Sequence, residues 1–200
     1  MIANRSMKNY YVLIVAALMV ATSCNESRRG NDSNLGEDRD EAAAEANTDT
    51  FRGKKQKDAD FVYEVVQSNY GEIKLAELAD QKSRNAEVKK IAQMLLTDHT
   101  ASLNDLKTVA QAKGISVPVE EADGSKRKLE NIAEETDDEF ERMWCKEMLD
   151  LHESSIKKFE DHLDKTEDQE LKAFINKNLP ALKAHREHLK ACDKKLNERT

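Results

Sequence analysis

Three observations predict an all-α protein. The 200 residues include only two prolines and six glycines, so few positions interrupt a helix. Charged residues make up 36% of the chain and aromatic residues 5%, which is typical of amphipathic helices rather than of sheets. From Asp58 onward, apolar side chains recur every three to four residues in four stretches of roughly 25 residues. Short links between such stretches favour an antiparallel, up-down-up-down four-helix bundle over residues 58–200.

Residues 1–23 are expected to be a lipoprotein signal peptide. Arg5 and Lys8 precede an apolar run, Val12 to Val20, that is too short to span a bilayer. The sequence Ala21-Thr22-Ser23-Cys24 resembles a bacterial lipobox, so Cys24 is the expected lipidation site. Lipid on Cys24 would anchor the protein to a membrane of the cell envelope, with the outer membrane expected and the chain facing the periplasm or the cell surface. The alternative is ordinary signal cleavage beside a chance cysteine.

Residues 24–57 are expected to be a flexible polar tether. They are rich in Asn, Asp, Ser and Glu and contain almost no large apolar side chains. Such a segment buries too little surface to offset the entropy lost on ordering.

The first two long helices are delimited by turn residues. The first begins near Asp58 and is interrupted by Ser83-Arg84-Asn85. The second ends at Gly114, a candidate C-cap, and a loop containing Pro118 follows. A short helix is predicted over residues 126–133.

The last two long helices are separated by a turn at residues 166–169. Thr136 is a candidate N-cap for the third, because Glu139 lies three residues on and acidic residues favour a first turn. Pro180 is expected to kink the fourth helix or to restart it, because proline lacks an amide donor.

Each apolar stripe contains one titratable interruption: Glu72, His99, His152 and His185. In an antiparallel hairpin, two residues at equal height have their sequence midpoint in the turn. The three successive midpoints fall beside Asn85, at Gly124-Ser125 and within residues 167–169, all inside predicted turns or the central link. The pattern therefore places one carboxylate and three imidazoles in a single layer of the core.

Two interpretations of this layer stay open. Three imidazoles and a carboxylate suit one transition-metal ion, with zinc, iron, copper or manganese as candidates, and bundles build such sites from facing helices. The alternative is a metal-free hydrogen-bonded layer that fixes helix register in a structural or interaction module of the envelope. In either case Asp98 and Asp150 are candidates to orient the imidazoles. A standard di-iron centre is not expected, because the positions three residues before the histidines are leucines rather than glutamates: Leu96, Leu149 and Leu182.

The other cysteines predict a contact between the third and fourth helices. Cys145 and Cys192 share the midpoint of His152 and His185, and each lies seven residues from its layer histidine. They are expected to face each other and are a candidate disulfide, with two free buried thiols as the alternative. His162 and His188 are expected at the surface.

Charge and motifs exclude some functions. The formal net charge of −7 argues against nucleic-acid binding, which needs a clustered cationic face. No catalytic residue is singled out, and an enzyme would need an open metal position reached from solvent.

Four stretches, "YGEIKLAELA", "VKKIAQMLLTDHTASLNDL", "MLDLHESSIKKF" and "LKAFINKNLPALKAHREHL", together resemble a bacterial ferritin-like family. This is the domain of unknown function numbered four-one-four-two, whose members are often called predicted outer membrane proteins. The family's pattern is met by Gly71 with Glu72, Asp98 with His99, His152, and the Leu179-to-His185 segment, although Leu151 stands where the family usually has Asp. The resemblance implies a ferritin-like bundle and an envelope location, and it supplies no established activity.

Overall fold

The computed structural model describes residues 32–198, with side chains from residue 39 onward. This part of the chain forms six helices and no strand: α1 (Asp32–Thr50), α2 (Lys54–Lys82), α3 (Ala86–Lys113), α4 (Asp123–Glu134), α5 (Asp137–Leu163) and α6 (Gln169–Asn197). The all-α prediction is confirmed. Within the described range no helix is both long and apolar enough to cross a membrane.

The predicted turns coincide with the helix ends. The α2–α3 turn spans residues 83–85, and the side chain of Asn85 caps α3 by accepting a hydrogen bond from the Glu87 amide. Gly114 ends α3 with φ +67°, the left-handed conformation that favours glycine. Thr136 occupies the N-cap position of α5, but its side chain makes no capping hydrogen bond.

The four long helices contact each other in a closed cycle: α2 with α3, α3 with α6, α6 with α5, and α5 with α2. Neighbours in this cycle run in opposite directions. Between α2 and α5, Phe61 packs on Phe159, whereas Lys82, twenty-one residues later, lies over Phe140. Between α3 and α6, Asp105 pairs with Lys177 and Asp98 with His185.

The up-down-up-down order is therefore wrong, because α3 and α5 both run opposite to α2. The helices follow an up-down-down-up order, and the chain between Lys113 and Asp137 crosses from one end of the bundle to the other. Its 23 residues, which include α4, are long enough for this crossing. The midpoint rule did not detect the crossing because His99 and His152 lie near the centres of their helices, where either direction gives a similar height.

Glu141 holds the end of the crossing connection, where α5 begins, beside the α2–α3 turn. This buried residue, in the first turns of α5, accepts hydrogen bonds from the Ser83 hydroxyl (2.7 Å) and from the Arg84 and Asn85 amides (3.2 and 2.9 Å). One carboxylate thus satisfies three donors of the α2–α3 turn. The start of α5 is thereby held beside that turn.

The apolar core is divided in two. One cluster includes Phe61, Leu106, Phe159 and Phe174, and the other includes Leu75, Leu95, Trp144, Met148 and Leu189. The indole N–H of Trp144 donates to the Leu75 carbonyl at 2.8 Å, which satisfies the one polar atom of the largest fully buried side chain. The polar layer predicted from the sequence lies between the two clusters.

The segment predicted to be a tether differs from that expectation. From Asp32 to Thr50 it forms α1, and α2 already begins at Lys54. Polar side chains hold α1 in place: Asn47 exchanges two hydrogen bonds with the backbone of Ser116, and Asp40 accepts from the Val119 amide. The prediction weighed only apolar burial and overlooked the helix-forming run Glu41 to Ala46.

Helices α5 and α6 are joined by a disulfide between Cys145 and Cys192, whose Cα atoms are 6.4 Å apart. Helix α6 continues through Pro180 without a restart. The predicted kink at that proline stays a prediction.

Candidate metal centre

Four buried polar side chains from the four long helices meet between the two apolar clusters. They are Glu72 on α2, His99 on α3, His152 on α5 and His185 on α6, each at most 4% exposed. One ligand atom from each histidine lies within 4.8 Å of the others. The three ring centroids are 5.2 to 5.6 Å apart. The structure therefore brings together the whole set that the sequence predicted.

His99 is oriented by Asn69, one turn before Glu72 on α2. The Asn69 amide nitrogen donates to the Val65 carbonyl at 2.8 Å, which turns its oxygen toward Nδ1 of His99 at 3.1 Å. Nδ1 must then carry the proton and donate it. Nε2 of His99 is left as a lone pair that faces the layer.

His152 is oriented by its own helix. Its Nδ1 lies 2.8 Å from the carbonyl oxygen of Met148, so this nitrogen also carries the proton. Its Nε2 faces Nε2 of His99 at 3.3 Å. Two such nitrogens at that distance are a favourable pair only when a cation, either a proton or a metal ion, lies between them.

His185 is oriented from α3. Its Nε2 donates to a carboxylate oxygen of Asp98 at 2.8 Å. Its Nδ1 is buried and has no hydrogen-bond partner among the described residues. A carboxylate on the remote nitrogen of an imidazole is the usual partner of a metal-ligating histidine, because it fixes the tautomer and raises the basicity of the free nitrogen.

Glu72 is held by hydroxyl groups and directs one oxygen at the imidazoles. Oε1 accepts from Ser68 at 2.9 Å and lies 3.5 Å from the Ser155 hydroxyl. Oε2 lies 3.2 Å from Nε2 of His99 and 3.6 Å from Nδ1 of His152. It nevertheless accepts no hydrogen bond. The reason is that Nε2 of His99 bears no proton when Nδ1 donates to Asn69.

The electrostatics leave a buried negative charge. Burial lowers the pKa of His99 from 6.5 to about 4, because desolvation outweighs the attraction of Glu72. Burial also lowers the pKa of His185. For Glu72, burial raises the pKa, but attraction to the imidazoles in their protonated form and the Ser68 hydrogen bond more than offset it, so the pKa lies below its usual range. At neutral pH the layer contains a carboxylate beside neutral His99 and His185, an arrangement that a bound cation would stabilise.

A cavity of about 70 Å³ adjoins the layer on the side of the Phe61 cluster. Its walls include Glu72, His99 and His185, but not His152. Around them lie hydroxyl groups and one amine, from Ser68, Ser102, Ser154, Ser155 and Lys158. The layer is thus reached from one side, through a space that both polar and apolar side chains line.

Two of the other residue predictions are wrong. Asp150 is not at the layer, because it pairs with Lys146 at 2.9 Å on the outer face of α5, and Met148 orients His152 instead. His162 is buried rather than at the surface, where it stacks on Phe61 with ring centroids 4.1 Å apart and lies 2.9 Å from Asp58. His188 is exposed, as expected. Cys24 lies outside the described residues.

Most of the residues that position the layer were not predicted from the sequence. The sequence pattern alone assigned no role to Asn69, Ser68 or Ser155. The available signal was an amide on a buried stripe three residues before the glutamate. The Met148 carbonyl leaves no such signal, because every residue has one.

Solved structures with a similar fold are all-helical proteins. Two are titled "CopM in the Cu(II)-bound form" (21% identity, TM-score 0.59, covering 69% of this chain and 96% of that one) and "CopM in the Cu(I)-bound form" (20%, 0.58, 67% and 93%). A third is a DUF305 fragment from Deinococcus radiodurans (12%, 0.61, 68% and 95%). At these identities the likeness concerns the fold.

The sequence matches no curated protein. A family model, described as "Domain of unknown function (DUF4142)", matches residues 40–192. That range covers most of the chain, from the middle of α1 to near the end of α6. The chain therefore belongs to the DUF4142 family.

Proposed function

We propose that this protein binds one transition-metal ion, copper(II) before others, in the layer formed by Glu72, His99, His152 and His185. The protein would act as a metal-binding component of the bacterial envelope. The alternative is a structural or interaction module whose layer is free of metal.

One observation carries the proposal. The remote nitrogens of His99, His152 and His185 are each bound to an oxygen atom, of Asn69, Met148 and Asp98 respectively. In the neutral rings, the inward nitrogens therefore present lone pairs within a space where Glu72 adds an oxygen that accepts no hydrogen bond. A network that served only to fix register would pair donors with acceptors, whereas this one gathers acceptors.

The donor set favours copper(II) among the candidate ions. Imidazole nitrogen and carboxylate oxygen suit divalent first-row ions, and copper(II) binds most tightly in that series. Two structures with this fold are of a protein in Cu(II)-bound and Cu(I)-bound forms, which supports copper as the metal without choosing its oxidation state. The cysteines of the bundle are tied in a disulfide, so they offer no thiolate that would favour copper(I).

The first test is elemental analysis of the full chain, purified without a histidine tag and incubated with copper(II). We expect about one ion per chain in the wild type and loss of that ion in His99→Ala, because removal of one ligand opens the centre. His188→Ala is the matched control, since it removes an exposed histidine and should retain the copper. Absence of metal after incubation with copper, zinc, iron or manganese would contradict the proposal. The layer would then be a hydrogen-bonded network that fixes helix register.

We further propose that Cys24 carries a lipid that anchors the chain in the envelope, supported by the signal-like residues before it. In Cys24→Ser we expect the protein to move from the membrane fraction to the soluble fraction. Cell fractionation followed by immunoblotting measures this, and a variant that stays with the membrane would contradict the lipid anchor.

The ferritin-like assignment is also part of this proposal. Ferritin-like bundles have one long crossover, and the 114–136 connection is of that kind.

A further inference from the structure

We propose that the metal centre has an open position that binds a small anion from solvent through the cavity beside the layer. This inference rests on the proposed metal function and goes beyond it, because a purely structural or storage site needs no access for a second ligand.

The access is one-sided. Glu72, His99 and His185 line the cavity, whereas His152 does not line it and is fully buried. An ion held by the four side chains would therefore be shielded on the His152 side and face the cavity on the other. About 70 Å³ has room for a few water molecules or for an anion of two or three atoms.

The lining is suited to an anion. Ser102 and Ser154 contribute hydroxyls that make no hydrogen bond to any residue the structure describes, so both are available as donors. Lys158 adds a positive charge at the wall, although Glu64 pairs with it on the outside. The wall also includes two carboxylates: one oxygen of Glu72 accepts from Ser68, and Asp98 accepts from His185.

The net charge of the metal with its four ligands also favours an anion. A divalent ion with one carboxylate and three neutral imidazoles carries a net charge of +1. That charge at the metal favours a monoanion over a neutral molecule as the additional ligand. The ligand class is therefore a small monovalent anion, and azide is a suitable probe because it is linear, has three atoms and absorbs visibly when bound to copper(II).

The test is an azide titration of the copper(II)-loaded full chain, followed by visible absorption and electron paramagnetic resonance. We expect a saturable new charge-transfer band and a changed copper spectrum, with the copper still bound after the azide is removed. Ser102→Leu should fill the cavity and weaken azide binding by about tenfold or more, while one copper per chain remains. Ala101→Leu, which adds the same side chain at the adjacent exposed position of α3, should bind azide as the wild type does.

Each outcome separates the two proposals. If copper binds but azide changes neither spectrum, or if azide removes the copper, the open position is refuted and the metal site stands. If Ser102→Leu binds azide with unchanged affinity, the cavity is not the route and this inference fails. If no copper binds in the first place, the proposed function itself fails, and the metal analysis reports that before any azide is added.

Discussion

Copper(II) is expected to raise the free energy of unfolding of the full chain by up to about 4 kcal/mol when the free ion exceeds its dissociation constant a thousandfold. The reason is linkage: the ion binds a layer that exists only when the four long helices are packed. For a chain of this size, that stabilisation corresponds to a rise in melting temperature of roughly 8–16 °C. Thermal unfolding followed by circular dichroism, with and without copper and then with excess chelator, measures the shift and its reversal.

The same experiment distinguishes the metal site from a register network. His99→Ala should be less stable than the wild type without metal under either interpretation, because it leaves the buried amide oxygen of Asn69 without a donor and creates a cavity in the core. Only under the metal interpretation should His99→Ala also lose the copper-dependent rise. His188→Ala should keep it. A wild-type protein that melts at one temperature with copper, without copper and with chelator would contradict the site.

The layer was predictable because its four members interrupt regular apolar stripes. A histidine among leucines at helical spacing is visible in sequence, and its height along the bundle follows from its distance to the helix ends. The same rule does not reveal the direction in which each helix runs. His99 and His152 lie near the middle of α3 and α5, so parallel and antiparallel courses place them at the same height. Residues near the ends, such as Lys82 and Glu141, carry the information on direction, and nothing in their sequence pattern reveals their partners.

The supporting residues were less predictable for a physical reason. Asp98 could be predicted, because a carboxylate next to a histidine of the layer is an obvious hydrogen-bond partner for an imidazole there. Asp150 resembled it in sequence but projects from the outer face of α5, since two residues along a helix turn a side chain by about 200°. The choice between a carboxylate and the Met148 carbonyl for His152 depends on a ring rotamer. Helix α1 was missed because side chain-to-backbone bonds hold it, and hydropathy does not register such bonds.

Removal of the Cys145–Cys192 disulfide is expected to lower the free energy of unfolding by about 4 kcal/mol, from the loop-closure entropy of the 47-residue separation. The double variant Cys145→Ala/Cys192→Ala should accordingly melt roughly 8–16 °C below the wild type when both are free of metal. The wild type in reductant is the matched control, because it loses the bond but keeps both sulfur atoms and so separates the cross-link from the packing lost with the thiols. Equal melting temperatures for the oxidised and reduced wild type would contradict a stabilising disulfide.

The copper-dependent increment should be the same in this double variant as in the wild type. The disulfide lies seven residues from His152 along α5 and from His185 along α6, a distance of about 10 Å at 1.5 Å per residue. Contributions at that separation are additive when they share no partner, and Cys145 packs in the Trp144 cluster while the layer's open side faces the Phe61 cluster. A smaller increment in the double variant would mean that the disulfide holds α5 and α6 at the spacing the ligands need. The bond would then act on the folded metal site as well as on the unfolded chain.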